Sequence, residues 1–114
     1  MVCTQKRLMN SVNLVGRLSR APTVRFEGES QTATFTLAIQ EPTREGKPYT
    51  VYVPCTSWGR AAETCSLLNA EALVSVQGKL SWRKHAAHCG QVHSQLCVQV
   101  KDLAVLETSV EVPA

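Results

Sequence analysis

Residues 49–85 read YTVYVPCTSWGRAAETCSLLNAEALVSVQGKLSWRKH, and their hydrophobic period changes twice. Over residues 49–58 the period is two. Val51, Val53 and Cys55 share one face; Tyr52, Thr56 and Trp58 share the other. That alternation marks a strand with one covered side. Over residues 59–69 the period lengthens to that of a helix. Ala61, Ala62, Cys65 and Leu68, with Leu67 beside them, form one apolar stripe. Glu63 falls near the start of this helix, where negative charge complements its dipole. Over residues 73–85 the period returns to two, with Val74 and Val76 inward and Gly78 in the middle of the strand.

The flanking segments are strands as well. Residues 12–20, VNLVGRLSR, open the first, and Gly16 inside it signals a bulge or sharp bend. Ala21–Pro22 breaks it, TVRF resumes it, and EGES is a turn. In QTATFTLAIQ, residues 31–40, Ala33, Phe35, Leu37 and Ile39 share a face, which makes Phe35 core; Phe26 is expected to be partly core. Residues 41–48 are a loop rich in charge, Pro and Gly. Residues 92–100 form the last strand, with Leu96, Val98 and Val100 set against His93, Gln95, Cys97 and Gln99, and KDLAVLE continues it. Five strands with one helix between the third and fourth predict an all-β fold, a five-stranded Greek-key barrel of the OB type. The mid-strand glycines suit a small barrel, whose strands must turn corners.

The 114 residues are enough for one domain. The expected organisation is an extension over residues 1–9, a barrel domain over 10–107 and a short tail over 108–114, with the first eight residues loosely ordered. A hydrophobic content of 44% and a charged content of 18% fit a globular chain. The net charge of +3 is mildly basic and permits an anionic partner. Five cysteines without a pairing pattern, after an opening MVCTQKRL that lacks the apolar stretch of a secretory signal, predict reduced thiols and a cytoplasmic setting. No run approaches the roughly 18–20 apolar residues of a membrane span. No paired carboxylates, nucleophile elbow or phosphate loop stand out, so no enzymatic activity and no cofactor are expected.

Leu14–Gly16, Leu18, Pro22 and Val24–Arg25, then Trp58–Glu63, then Gly78, Leu80 and Arg83, follow in an order and spacing that resemble bacterial single-stranded DNA-binding proteins. The likeness runs from about residue 10 to residue 107. It implies an OB fold that binds single-stranded DNA without strong sequence preference, as a tetramer or a dimer, in replication, recombination and repair. Such binding needs cations for phosphates and flat side chains for unstacked bases. Tyr52 and Trp58 fall on two stacking positions of the family; a subunit interface is the other use for aromatics on that face. The family's stacking tryptophan in the hairpin falls on His85, and a further family aromatic falls on Thr43. Trp82 shares its parity with Val74, Val76 and Leu80, hence an inward or interface position, and is a weaker DNA candidate. The phosphate candidates are Arg17, Arg20, Arg25, Arg44, Lys47, Arg60, Lys79, Arg83 and Lys84, of which Arg60, Arg83 and Lys84 match basic positions of the family.

Residues 81–93, SWRKHAAHCGQVH, hold three histidines and a cysteine. They read as the tip of the hairpin between the fourth and fifth strands, with His85 facing His93. His88 and Cys89 are adjacent in sequence, which makes joint tetrahedral ligation awkward, so histidines on a basic loop are expected and no metal. Their protonation below about pH 6.5 would add positive charge. Longer family members carry a Gly/Pro/Gln-rich tail with an acidic, aromatic-tipped end, whereas this chain ends VEVPA. A short form is therefore expected, resembling either the cyanobacterial and plastid binders or primosomal replication protein N. The second alternative implies an adaptor with weak DNA affinity and replication or primosome proteins as partners. An RNA-binding barrel is a third reading of the same chemistry.

Overall fold

The computed structural model describes residues 8–86 and 92–108. Most of the expected extension and tail, with His88 and Cys89, lie outside the described residues. The elements run β1 (Val12–Leu18), β2 (Thr23–Glu27), β3 (Ser30–Glu41), β4 (Tyr49–Trp58), α1 (Gly59–Ser66), β5 (Leu73–Ala86) and β6 (Val92–Glu107). β1 pairs with β5 from Val12 opposite Gly78 to Arg17 opposite Leu73, and also with β3 at Arg17–Ala38 and Leu18–Leu37. β5 pairs with β6, β6 runs parallel to β4, and β4 pairs with β3. Five strands thus close into the expected OB-type barrel. The break at residues 19–22 separates off β2, which pairs only with β3 and stands outside the ring.

The alternating apolar positions fill the barrel. Leu18, Ala33, Phe35, Leu37, Val74 and Val98 are buried in one cluster, and α1 closes one end with Ala62 and Cys65. The helix starts where Gly59 takes φ +61, a left-handed conformation that costs a residue with a Cβ. It ends at Ser66, earlier than the periodicity predicts. Leu67 is its C-cap and is exposed, whereas Leu68 reaches the core. Glu63 is the fifth helical residue, beyond the first turn where the dipole is felt.

Three other expectations change for one reason: the ring is shorter than the strands. Phe26 is 70% exposed and not partly core, because β2 lies outside the ring. Beyond Gly78 β5 has no β1 partner, and before Val98 β6 has no registered β4 partner. Residues 81–86 and 92–96 therefore form a two-stranded arm. Leu96 and Trp82, paired across it, are exposed although their parity is inward. Cys97, on the other face, is buried.

Gly16 shows no shift in register; it sits one residue before β1 begins to pair with β3 as well as β5. Gly78 does mark a shift, and there β5 presses against β6. A Cβ on Gly78 would collide with the Gln99 carbonyl, a backbone atom that cannot swing away. Gly78→Ala is expected to cost about 2–3 kcal/mol, typical of overpacking, and to lower the urea midpoint at constant slope.

Cys55 and Cys65 are free thiols in the buried cluster, and Cys97 is a free thiol buried outside that cluster. Burial above all, then the neighbouring Cys97 and Cys65, pushes the Cys55 thiol up to about 12; burial pushes Cys65 to about 11. Cys55 uses its proton as a donor to the Val53 carbonyl at 3.6 Å. The unfolded chain loses these protons near pH 9.0, before the folded one does. Folding stability should therefore be unaffected below pH 9 and fall as pH rises from 9 toward 12. Urea titrations at pH 8, 9, 10 and 11 should show a steeper fall for the wild type than for Cys55→Ala.

Candidate nucleic-acid interface

The outer face of the β3–β4 ladder carries a row of cross-strand pairs: Thr32–Trp58, Thr34–Thr56, Thr36–Pro54, Ala38–Tyr52 and Gln40–Thr50. Period-two alternation puts these side chains opposite Ala33, Phe35 and Leu37, so burying one face presents the other. Three grooves follow the row. The first lies between β2 and the β5–β6 arm and is lined by Arg25, Glu27, Thr32, Trp58, Trp82 and Arg83, among others. The second adjoins it, sharing Thr34 and Arg83, and adds Arg20, Thr36 and Pro54. The third surrounds Tyr52 with Val15, Arg17, Ala38 and Gln40. The track is continuous in register, and each groove holds at least one arginine.

Trp58 and Tyr52 remain outward, 47% and 63% exposed, at opposite ends of this track. They are six residue steps apart along β4, a span of about 20 Å at roughly 3.3 Å per residue. Trp58 is also the N-cap of α1, yet its backbone stays extended (φ −131°, ψ 162°), which keeps the ring on the strand's outer face. Large apolar rings held open beside guanidinium groups can stack on unpaired bases while the charges meet phosphates.

The sequence candidates divide between this track and other surfaces. Tyr52, Trp58, Arg17, Arg20, Arg25, Trp82 and Arg83 line the grooves. Arg60, exposed on α1, and Lys79, exposed on β5, do not; nor do Arg44 and Lys47 in the β3–β4 loop. Lys84 and His85 lie on the arm, opposite Ser94 and His93, so the histidine pairing expected of the hairpin is present in the register. Trp82 enters the first groove instead of facing inward. A two-stranded ribbon twists more than a sheet, and this arm has no third strand to flatten it.

Several groove residues were not among the site residues expected from the sequence: Thr23, Thr32, Thr34, Glu27 and Gln99. The threonines were legible as the polar half of the β3 alternation. Glu27 and Gln99 needed the tertiary arrangement of β2, β3 and β6. Arg17 is partly engaged already: one terminal nitrogen donates to the Glu71 carbonyl at 2.9 Å, and another lies 3.6 Å from a Glu107 carboxylate oxygen. Both partners of that ion pair are more than two-fifths exposed, so water screens it and it adds little stability. Asn10 anchors the chain before β1. Its Nδ2 donates to the Leu80 carbonyl at 2.9 Å, and its Oδ1 accepts from the Leu80 N–H at 2.8 Å. Among the described residues no group of three or more His, Cys, Asp or Glu is placed to hold a metal ion. Among them, too, no helix is long and apolar enough to cross a membrane.

Comparison with known proteins agrees with this geometry. The single-stranded DNA-binding protein of Clostridium tetani is 33% identical over 86 residues, covering 72% of this chain and 59% of that protein. Single-stranded DNA-binding protein A of Bacillus subtilis is 32% identical over 104 residues, covering 88% and 60% respectively. The single-stranded DNA-binding protein of Caldanaerobacter subterraneus is 31% identical over 104 residues, covering 88% and 69%. The chain spans about three fifths of the length of the first two. The family model described as single-strand binding protein family matches residues 9–106, nearly the whole barrel, its arm and the outer track included. The chain belongs to the single-strand binding protein family.

Proposed function

We propose that this chain binds single-stranded DNA, without catalysis and without strong sequence preference, in DNA replication, recombination and repair. The observation that carries the reading is the continuous outer track of β3 and β4, with exposed Trp58 and Tyr52 at its ends and arginines along it. A duplex keeps its bases stacked on one another, so only an unpaired strand can use both rings. The names of the three relatives support the same ligand.

The chain is read further as a cytoplasmic protein that works as a homo-oligomer, a dimer or a tetramer. Replication or primosome proteins are the protein partners this reading allows. An adaptor resembling primosomal replication protein N is the alternative, and it differs in affinity: short, weak sites in place of sites of tens of nucleotides per oligomer.

A salt-series titration against single- and double-stranded oligonucleotides tests the function. The single strand should bind more tightly than the duplex, and its log K should fall linearly with log salt. Arg83→Ala should flatten that slope by about 0.7, the value for one phosphate contact on a single strand. Tyr52→Ala and Trp58→Ala should each cost roughly 1–3 kcal/mol of binding. Unchanged affinity in the joint alanine variant would remove the basis of the proposal.

Glu27 is the one acid that lines the first groove among the described residues. It repels a phosphate there, so Glu27→Gln should tighten binding at low salt by a few-fold and lose this advantage as salt screens it. The same titration measures both.

A further inference from the structure

Trp82 has no counterpart among the stacking positions that the family resemblance assigns; its hairpin position falls on His85. Yet Trp82 and Trp58 line one groove, together with Arg25, Arg83 and the hydroxyls of Thr32 and Thr56. They reach it from different elements. Trp58 ends β4 on the barrel wall, and Trp82 sits on the two-stranded arm, opposite Leu96. Trp82 is 64% exposed, so its ring is held open and not packed away.

We propose that Trp58 and Trp82 form a two-ring subsite that takes unstacked nucleobases, with Arg25 and Arg83 on the flanking phosphates. The inference rests on the single-strand reading above and adds a base-stacking residue to it. The groove asks three things of a ligand. Two indoles want flat π faces, the threonine hydroxyls and Gln99 want hydrogen-bonding edges, and the arginines want negative charge. An apolar protein segment meets only the first demand, whereas a run of nucleotides meets all three. The position of Trp82 on the arm matters as well. A strand laid over the barrel wall is then gripped from two sides, wall and arm, so stacking holds the arm in place as it holds the bases.

The chain has only two tryptophans, which makes the site directly observable. In Trp58→Phe, Trp82 is the sole indole, and saturation with a mixed-sequence single-stranded oligonucleotide should quench or shift its emission. Titrations by anisotropy of a labelled oligonucleotide should show Trp82→Ala weakened roughly 5- to 150-fold, the loss of one stacked base. Trp82→Phe should retain most of the affinity. The salt slope should not change in either variant, because no phosphate contact is lost. Replacing the probe by an oligomer of abasic nucleotides should abolish the difference between wild type and Trp82→Ala.

Unperturbed Trp82 emission in Trp58→Phe at saturation, or affinity of Trp82→Ala within twofold of wild type, overturns the subsite. A loss in Trp82→Ala that tracks a change of oligomer mass by light scattering also overturns it, since Trp82 would then serve an interface. Trp58→Ala and Arg83→Ala separate the two claims. If they weaken binding while Trp82→Ala does not, the subsite fails and the function stands. If the wild type binds no single strand, the function falls with it.

Discussion

The barrel depends on how β1 divides its backbone hydrogen bonds. Six of its seven residues, Val12 to Arg17, pair with β5 along one edge, and Arg17 and Leu18 pair with β3 along the other. The corner is closed by single bonds: Leu18 N–H donates to Ala72 at 3.0 Å, Ser19 N–H donates to Thr36 at 3.0 Å, and Glu71 N–H donates to Leu18 at 2.8 Å. Leu18 itself is fully buried beneath them. Without this shared corner the sheet would have two open edges, each a row of unpaired donors and acceptors. Closure removes them and leaves an interior that small side chains and one helix can fill.

Closure also decides where function can sit. The inner faces of β3 and β4 are spent on Ala33, Phe35, Leu37 and Cys55, so whatever these strands offer a partner must stand on the outer face. The outer face offers aromatic rings and hydroxyls in register over five cross-strand pairs, with guanidinium groups in the grooves beside them. A rigid ladder holds that spacing better than a loop could. The buried thiols fit the same division: Cys55 keeps its proton because its surroundings are dry, one layer beneath a surface built to be wet.

The arm follows a different rule. It carries apolar residues at positions whose parity points inward, but it has outrun the barrel that would cover them. Trp82, Leu96 and Leu80 are therefore about half exposed or more. Such surface is retained where a ligand or partner covers it. Trp82, unlike the two leucines, lines a groove together with Trp58. Leu80 and Leu96 lie on the same face and have no groove residue beyond Trp82 beside them.

Period-two and period-3.6 patterns alone determined the barrel, its helix, the inward set from Ala33 to Val98 and the outward pair Tyr52 and Trp58. These are local consequences of alternation, and a strand that buries one face has no choice about the other. Only the tertiary structure decided where the ring ends, and so which residues of correct parity go uncovered: Phe26, Trp82 and Leu96. It alone brought Glu27, Gln99 and Trp82 to the rim of one groove, and left Arg60 and Lys79 off the track. The reason is physical. Parity states which side of a strand a residue takes, but cover depends on the strand lying opposite, which is set by closure and twist over distances no local pattern records.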